Sequence, residues 1–430
     1  MLTNNINPVV RKKRVGILSY TLPPAISGVE MVIRDHSRLL SNNGFRVFLL
    51  GALGKKFRSE IEVQIAKSFD PKNKNVRAIQ RELLQGRVTN KFQFTKNKYK
   101  KIINKWLEVN KIEVLIVHNV LSRHYNLALT AALAEIAMER ATTVKCITWV
   151  HDASFVDLFY TKLKSNLKTV YPWSLISQHQ PQFEYVTISK TRKNELVKLY
   201  GIDEQFIKVI PNGIDINKML PLPLQTRTLF LDILQRKPDY IGIIPVRIAE
   251  RKNIEYAIQL AKIARDKYSK RILFVVTGAL HLQNIEAVKY YDFLQSEIDT
   301  HAVRENFLFL YNYQLSTEEK FNIYKLNIRD LYLISDFLFL PSKGEGFGLP
   351  IIEAGFVRLP IFASKLEVFK EVGNGYVNLF DLKDPIEKTL LMILDYLKKS
   401  RTTIFHKLIL TRYSLAKIVK EHLIPLIQSP

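Results

Sequence analysis

The 430-residue sequence holds a single cysteine, Cys146. One thiol excludes an intrachain disulfide and any cysteine-rich metal site, so a reducing compartment is expected and Cys146 reads as a small buried strand residue. No window approaches the roughly 18 uninterrupted apolar residues of a membrane span. The basic residues Arg11 to Arg14 are followed only by Val15 to Leu18 before Ser19, too short an apolar run for a signal peptide. These absences together lead to the expectation of a cytoplasmic protein, with peripheral attachment to the inner face of a membrane as its one route to lipid. Acid is also scarce, with 40 Asp and Glu against 64 Lys and Arg, a formal charge of +24.

That charge is uneven. Residues 1–220 carry 35 basic and 17 acidic side chains, and residues 72–111 alone carry 12 against two. In the latter segment Tyr99, Ile102, Ile103, Trp106 and Leu107 recur at helical spacing among Lys96, Lys98, Lys100, Lys101 and Lys105. A basic amphipathic helix of this kind can lie on an anionic membrane surface; a helix packing its apolar stripe on its own domain is the alternative.

A chain this long exceeds one ordinary core, and two domains are expected. Apolar runs at Arg14–Ser19, Arg46–Leu50, Val114–Val117, Lys145–Val150, Tyr185–Ile188 and Ile207–Ile210 read as strands, with helices at Glu30–Leu40, Leu127–Met138 and Lys190–Leu199. Ser189 suits the N-cap of the last of these. Pro211-Asn212-Gly213 signals a turn, and the prolines 221, 223 and 238 mark residues 214–237 as a linker. The alternation then restarts with strands at Tyr240–Pro245, Ile272–Thr277, Phe307–Tyr311, Phe337–Leu340 and Ile361–Ala363, and a helix at Asn253–Ala264. Pro385–Leu397 and His406–Leu426 read as helices. Strands alternating with helices argue parallel sheets covered on both faces, here two doubly wound α/β domains.

The most informative stretch is Pro341-Ser342-Lys343-Gly344-Glu345-Gly346-Phe347-Gly348-Leu349-Pro350-Ile351-Ile352-Glu353-Ala354. It follows a strand, and Pro350 suits the first turn of a helix. A strand, a glycine loop and a helix start offer free backbone N–H groups at the positive end of a helix dipole, which favours phosphate. Two glutamates beside phosphate would repel it, so they are better suited to accept from hydroxyls of a sugar or a ribose. The pattern outlines a nucleotide-sugar site.

Pro211-Asn212-Gly213-Ile214-Asp215, then Pro245-Val246-Arg247-Ile248-Ala249-Glu250-Arg251-Lys252-Asn253, then Ser342 to Ala354 occur in the order found in family-4 retaining glycosyltransferases. The chain resembles that family from about Val15 to about Asp384, most closely in its second half, where the E-x7-E pair Glu345 and Glu353 falls in a Gly-Phe-Gly context. Pro23-Pro24 with Gly28-Val29-Glu30 resembles the family's glycine loop, with Ser27 where a second glycine is common.

The resemblance implies a GT-B architecture, two Rossmann-like domains facing across a cleft, with the last helix crossing back. The boundaries expected on that basis are 1–213 on the acceptor side, 214–237 as linker, 238–400 for the nucleotide sugar and 401–430 returning to the first domain. It implies hexosyl transfer from a nucleotide diphosphate sugar to an acceptor hydroxyl on a glycan, a lipid-linked sugar or a phosphorylated sugar, with retention at the anomeric carbon. Arg247 and Lys252 would hold the diphosphate and neutralise the leaving group, Glu345 would face the sugar ring, and His151 would touch the transferred sugar from the first domain. Gly28, Gly346, Phe347, Gly348 and Leu349 would contact the donor and Glu353 its ribose, while Asp152, His118 and Asn119 would line the acceptor side. With no carboxylate placed as a nucleophile, front-face substitution is favoured over a covalent intermediate. No Asp-x-Asp lies between strands, and neither a metal nor another cofactor is expected. Two rival readings exist: an inactive family relative serving as a partner subunit, opposed by the intact Arg247, Lys252, Glu345 and Glu353, and a basic nucleic-acid-binding protein, which leaves the Glu345–Glu353 element unexplained and is not expected to hold.

Overall fold

The computed structural model describes residues 13–24, 28–156, 165–278, 284–316 and 327–429. The chain divides into two compact units, residues 1–215 with 411–430, and residues 216–410.

The first unit is built on seven strands: β1 (Arg14–Thr21), β2 (Arg46–Leu53), β3 (Glu62–Ile65), β4 (Val114–His118), β5 (Lys145–Val150), β6 (Glu184–Thr187) and β7 (Ile207–Val209). They lie in the order β3-β2-β1-β4-β5-β6-β7, every pair parallel. All five residues of β4 are buried, as an apolar strand covered on both faces must be. Helix Asn90–Val109 turns Phe92, Tyr99, Ile103, Trp106 and Leu107 into this core. The apolar stripe of the basic segment is therefore consumed by its own domain, and Lys96 and Lys100 pair with Glu135 of the neighbouring helix. Exposed to solvent are Arg77 and Arg81 on helix Lys74–Leu84 and Lys98, Lys101 and Lys105 on helix Asn90–Val109, together with Leu84, Val88 and Phe94.

The second unit holds β8 (Tyr240–Ile244), β9 (Ile272–Val276), β10 (Phe307–Phe309), β11 (Phe337–Leu340), β12 (Ile361–Ser364) and β13 (Asn378–Phe380). Their order is β10-β9-β8-β11-β12-β13, again all parallel. In each unit the strand order reverses beside the first strand, between β1 and β4 and between β8 and β11. Ligands bind at such switch points, outside the carboxyl ends of the strands.

Two expectations about boundaries need correction. Residues 214–237 are not a linker: Leu224–Gln235 is a helix with Leu229, Phe230 and Ile233 buried in the core of the second unit. Its prolines flank it, Pro223 standing at the N-cap, where a missing N–H costs nothing. The return to the first unit begins at residue 411, not 401. Helix Arg401–Arg412 is held to the second unit by Lys407, which pairs with Asp336 at 3.0 Å and lies over the Tyr240 ring. Beyond it, Leu415, Ile418, Val419, Leu423, Leu426 and Ile427 are buried against β1, β2 and β4. Ile214 pairs with this tail, its N–H donating to Tyr413 O and its carbonyl accepting from Leu415 N, each at 2.9 Å. A side chain at Gly213 would put Cβ 2.7 Å from Leu415 Cα, so the glycine of Pro-Asn-Gly admits the returning chain.

Candidate active site

On the second unit the switch point brings two loops together. After β8 the chain runs through Arg247 to a single turn, Glu250–Lys252, and Asn253 takes a left-handed conformation (φ 55°) before helix Ile254–Tyr268. After β11 comes the loop 341–348. Lys343 N–H donates to Arg251 O at 2.8 Å, Arg251 Nη1 donates to Gly344 O at 3.1 Å, and Asn253 Nδ2 donates to Pro341 O at 2.9 Å. A further tie runs from Lys343 Nζ to Glu255 Oε1 at 2.9 Å, and Glu255 accepts in turn from the Tyr290 hydroxyl.

Glu345 sits inside this lacing. Its Oε1 pairs with Lys252 Nζ and accepts from Ser342 Oγ at 3.3 Å; its Oε2 pairs with Arg251 Nη1 at 3.2 Å. Burial raises its carboxyl pKa, but the Lys252 ammonium and then the Arg251 guanidinium outweigh that and hold it below the usual range. Lys252 is itself buried, whereas Arg247 is exposed and makes no hydrogen bond or ion pair among the described residues. A hollow of about 790 Å³ opens beside Arg247 and Arg251, lined also by Ala249, Glu255, Tyr290 and Phe293.

Gly348 has φ 102°, a left-handed turn that glycine allows, and stands as the N-cap of helix Leu349–Phe356. No side chain caps that helix; Pro350 has no N–H and Ile351 N–H donates to Gly348 O at 2.9 Å, which leaves the Leu349 N–H to face a ligand at its start. Phe347 and Leu349 are exposed on either side, and a Cβ at Gly346 would meet open space. Glu353, on the exposed face of the helix, accepts from the Tyr332 hydroxyl at 2.7 Å through Oε2.

On the first unit the switch point gathers residues from the ends of β4 and β5. Asn119, left-handed at φ 60°, accepts through Oδ1 from the backbone N–H groups of His151 (2.8 Å) and Asp152 (3.2 Å). Its amide donates to Asp152 Oδ2 at 3.3 Å. Asn119 and Asp152 line a pocket of about 430 Å³ with Tyr20, Glu30, Arg123 and Tyr125. His118 and His151 stack with Nδ1 and Nε2 3.0 Å apart, one of the two nitrogens carrying the shared proton. His36 and Trp149 complete the cluster. Burial drives all three imidazoles toward the neutral form, His36 to about 3, His151 to about 4 and His118 well below its ordinary value, with His151 adding repulsion on the other two.

These loops carry the marks of a known family, and its models match most of the chain. Residues 26–218 match Glycosyltransferase Family 4, and residues 229–390 match Glycosyl transferases group 1. The chain belongs to glycosyltransferase family 4. It is similar to the mannosylglucosylglycerate synthase of Petrotoga mobilis, 27% identical over 297 residues that cover 66% of each chain. It is also similar to the UDP-Gal:alpha-D-GlcNAc-diphosphoundecaprenol alpha-1,3-galactosyltransferase of Escherichia coli, 24% identical over 363 residues covering 82% of this chain and 80% of that one. The O-antigen chain mannosyltransferase RfbU of Salmonella typhimurium is 30% identical over 202 residues, 46% of this chain and 47% of that one. The fold this family implies is GT-B, and the two parallel-sheet units match it.

Against that family frame the expected site residues divide clearly. Arg247, Lys252, Glu345, Gly346, Phe347, Gly348 and Leu349 all lie at the carboxyl ends of β8 and β11, and Glu353 on the helix that follows. His151, Asp152 and Asn119 lie at the matching ends of β4 and β5. His118 does not line an acceptor surface: it is fully buried, because β4 carries it into the core beneath His151, and it touches that histidine instead. Gly28 opens helix Gly28–Asn42, and a Cβ there would meet nothing within 4 Å, so the described structure places no steric demand on glycine. Ser27 lies outside the described residues. Ser189 caps its helix as expected, accepting from Arg192 N–H at 3.1 Å. The sequence assigns no role to Arg251, which shares Glu345 with Lys252, nor to Tyr332, Tyr290 and Glu255, whose ordinary helical settings carry no local signal.

Proposed function

We propose that this family-4 glycosyltransferase moves a hexosyl group from a nucleotide diphosphate sugar to an acceptor hydroxyl with retention at the anomeric carbon. The observation that carries this reading is the cluster of Arg247, Arg251 and Lys252 at the second unit's switch point, with Glu345 held between two of these cations. A departing diphosphate would find three positive side chains and the uncapped start of helix Leu349–Phe356, a preorganised field for the charge that grows on the leaving oxygens. Lys252 would exchange Glu345 for phosphate, and the released carboxylate would accept from a hydroxyl of the sugar. These cations supply the neutralisation a metal could otherwise give, so we read the reaction as metal-independent. The leaving oxygen takes the acceptor proton in a front-face substitution, which needs no carboxylate nucleophile. His151 would contact the sugar from the first unit, and Asn119 and Asp152 the acceptor.

For the acceptor we favour a lipid-linked or phosphorylated sugar, supported by the basic first unit and by the diphosphoundecaprenol in the name of the E. coli relative. The exposed basic side chains of residues 72–111 would then meet an anionic membrane surface electrostatically, with Phe94, Leu84 and Val88 as apolar contacts. No helix among the described residues is long and apolar enough to cross a membrane. The test is a panel of UDP-, GDP- and ADP-sugars, with released nucleoside diphosphate measured and the anomer of the product read by NMR. One donor should turn over with retention; turnover of none, or an inverted product, would sink the proposal.

A further inference from the structure

Glu353 reaches solvent on the exposed face of its helix, yet its carboxylate is not loose. Tyr332, on helix Ile328–Ile334, is 2% exposed, and its hydroxyl donates to Oε2 at 2.7 Å from below. Glu353 Oε1 accepts no hydrogen bond among the described residues. An exposed glutamate ordinarily samples many rotamers and a broad terminal torsion, and it loses that freedom when it binds. A buried phenol that holds one oxygen settles the torsion before any ligand arrives and leaves the other oxygen facing outward. Burial and the adjacent carboxylate both raise the phenol pKa, which keeps the hydroxyl protonated as the donor.

We propose that Tyr332 is a positioning residue for donor recognition: it fixes Oε2 of Glu353 so that Oε1 is presented to the two ribose hydroxyls of the nucleotide. The inference rests on the reading of Glu353 as the ribose contact and adds the group that orients it. Tyr332 touches no substrate. It acts by preorganisation, which reduces the ordering that binding must otherwise supply. Its effect falls on the ribose alone and leaves the diphosphate contacts of Arg247 and Lys252 untouched.

The experiment is a calorimetric titration of wild type, Tyr332→Phe, Glu353→Gln and the double variant with UDP, GDP and ADP and their 2′-deoxy counterparts. Wild type should prefer the ribonucleotide of one base by roughly tenfold or more, a charge-assisted hydrogen bond being lost in the deoxy form. Glu353→Gln should remove most of that preference. Tyr332→Phe should cut it several-fold with a melting temperature close to wild type, and the double variant should lose nothing beyond Glu353→Gln. A structural role for the phenol would lower stability and weaken ribo and deoxy forms equally. If wild type shows no ribose preference, the reading of Glu353 fails. If wild type and Glu353→Gln behave as expected but Tyr332→Phe keeps the full preference, the Tyr332 inference alone is overturned.

Discussion

Replacing Glu345 by glutamine should move stability and nucleotide binding in opposite directions. The Glu345 side chain is 14% exposed and that of Lys252 only 9%, so this ion pair is mostly removed from water. Breaking a buried pair from one side costs about 3–5 kcal/mol, because a charge is left without a counter-ion. Glutamine still accepts a hydrogen bond, and the lost Arg251 contact lies on a side chain 57% exposed, worth ~0–1 kcal/mol. A net loss of about 2–3 kcal/mol follows, or a fall in melting temperature on the order of 4–12 °C for a unit of this size.

Lys252 and Arg251 are at the same time released from the carboxylate that competes with phosphate. Nucleoside diphosphate affinity should rise on the order of tenfold, seen as a larger thermal shift at equal ligand concentration. Transfer should vanish, since the proposed sugar contact is gone. Differential scanning fluorimetry with UDP, GDP and ADP reads both effects in one experiment. A variant that melts with wild type and responds to the nucleotides no more strongly would refute the idea that Glu345 holds the place of the donor phosphates.

Two further outcomes follow from the first unit. Its three buried histidines stay neutral when folded, with pKa values depressed to about 3 for His36, about 4 for His151 and well below the ordinary value for His118. Their contribution is complete above the unfolded value of about 6.5 and is lost as pH falls toward the folded values, because only the unfolded chain takes up protons in that window. Each histidine adds a slope of up to ~1.4 kcal/mol per pH unit, so urea midpoints should drop between pH 6.5 and 5, and His36→Phe should flatten the drop; a flat wild-type profile would contradict this. Gly213→Ala places a methyl 2.7 Å from Leu415 Cα, backbone that cannot give way. It should destabilise the first unit by ~1–3 kcal/mol, and unchanged urea unfolding would show that the returning chain is not held there.

Much of this was legible in the sequence where a local rule coincides with a local need. Loop 341–348 announces itself because a strand, glycines and Pro350 each demand a particular backbone. The Gly213 turn announces itself in the same way, although its reason, the tail at Leu415, lies about 200 residues away and has no local trace. Prolines misled at residues 214–237 since they read as breakers, whereas Pro223 starts a helix. Strands β3 and β13 escaped notice because they are short edge strands of four and three residues with weak apolar patterning. The pairing of Lys252 with Glu345 and of His118 with His151 depends on which strands are neighbours, β8 with β11 and β4 with β5, which periodicity does not encode.

The central claim, that the switch point of the second unit binds the diphosphate of a nucleotide sugar, is tested most directly by calorimetric titration of wild type and Arg247→Ala with UDP, GDP and ADP. Arg247 is exposed and makes no hydrogen bond or ion pair among the described residues, so the variant should fold and melt close to wild type. At least one nucleotide should bind wild type and bind the variant on the order of tenfold more weakly, the loss of one charge-assisted contact to phosphate. Binding of none of the three to wild type, or equal binding to both proteins, would contradict the account.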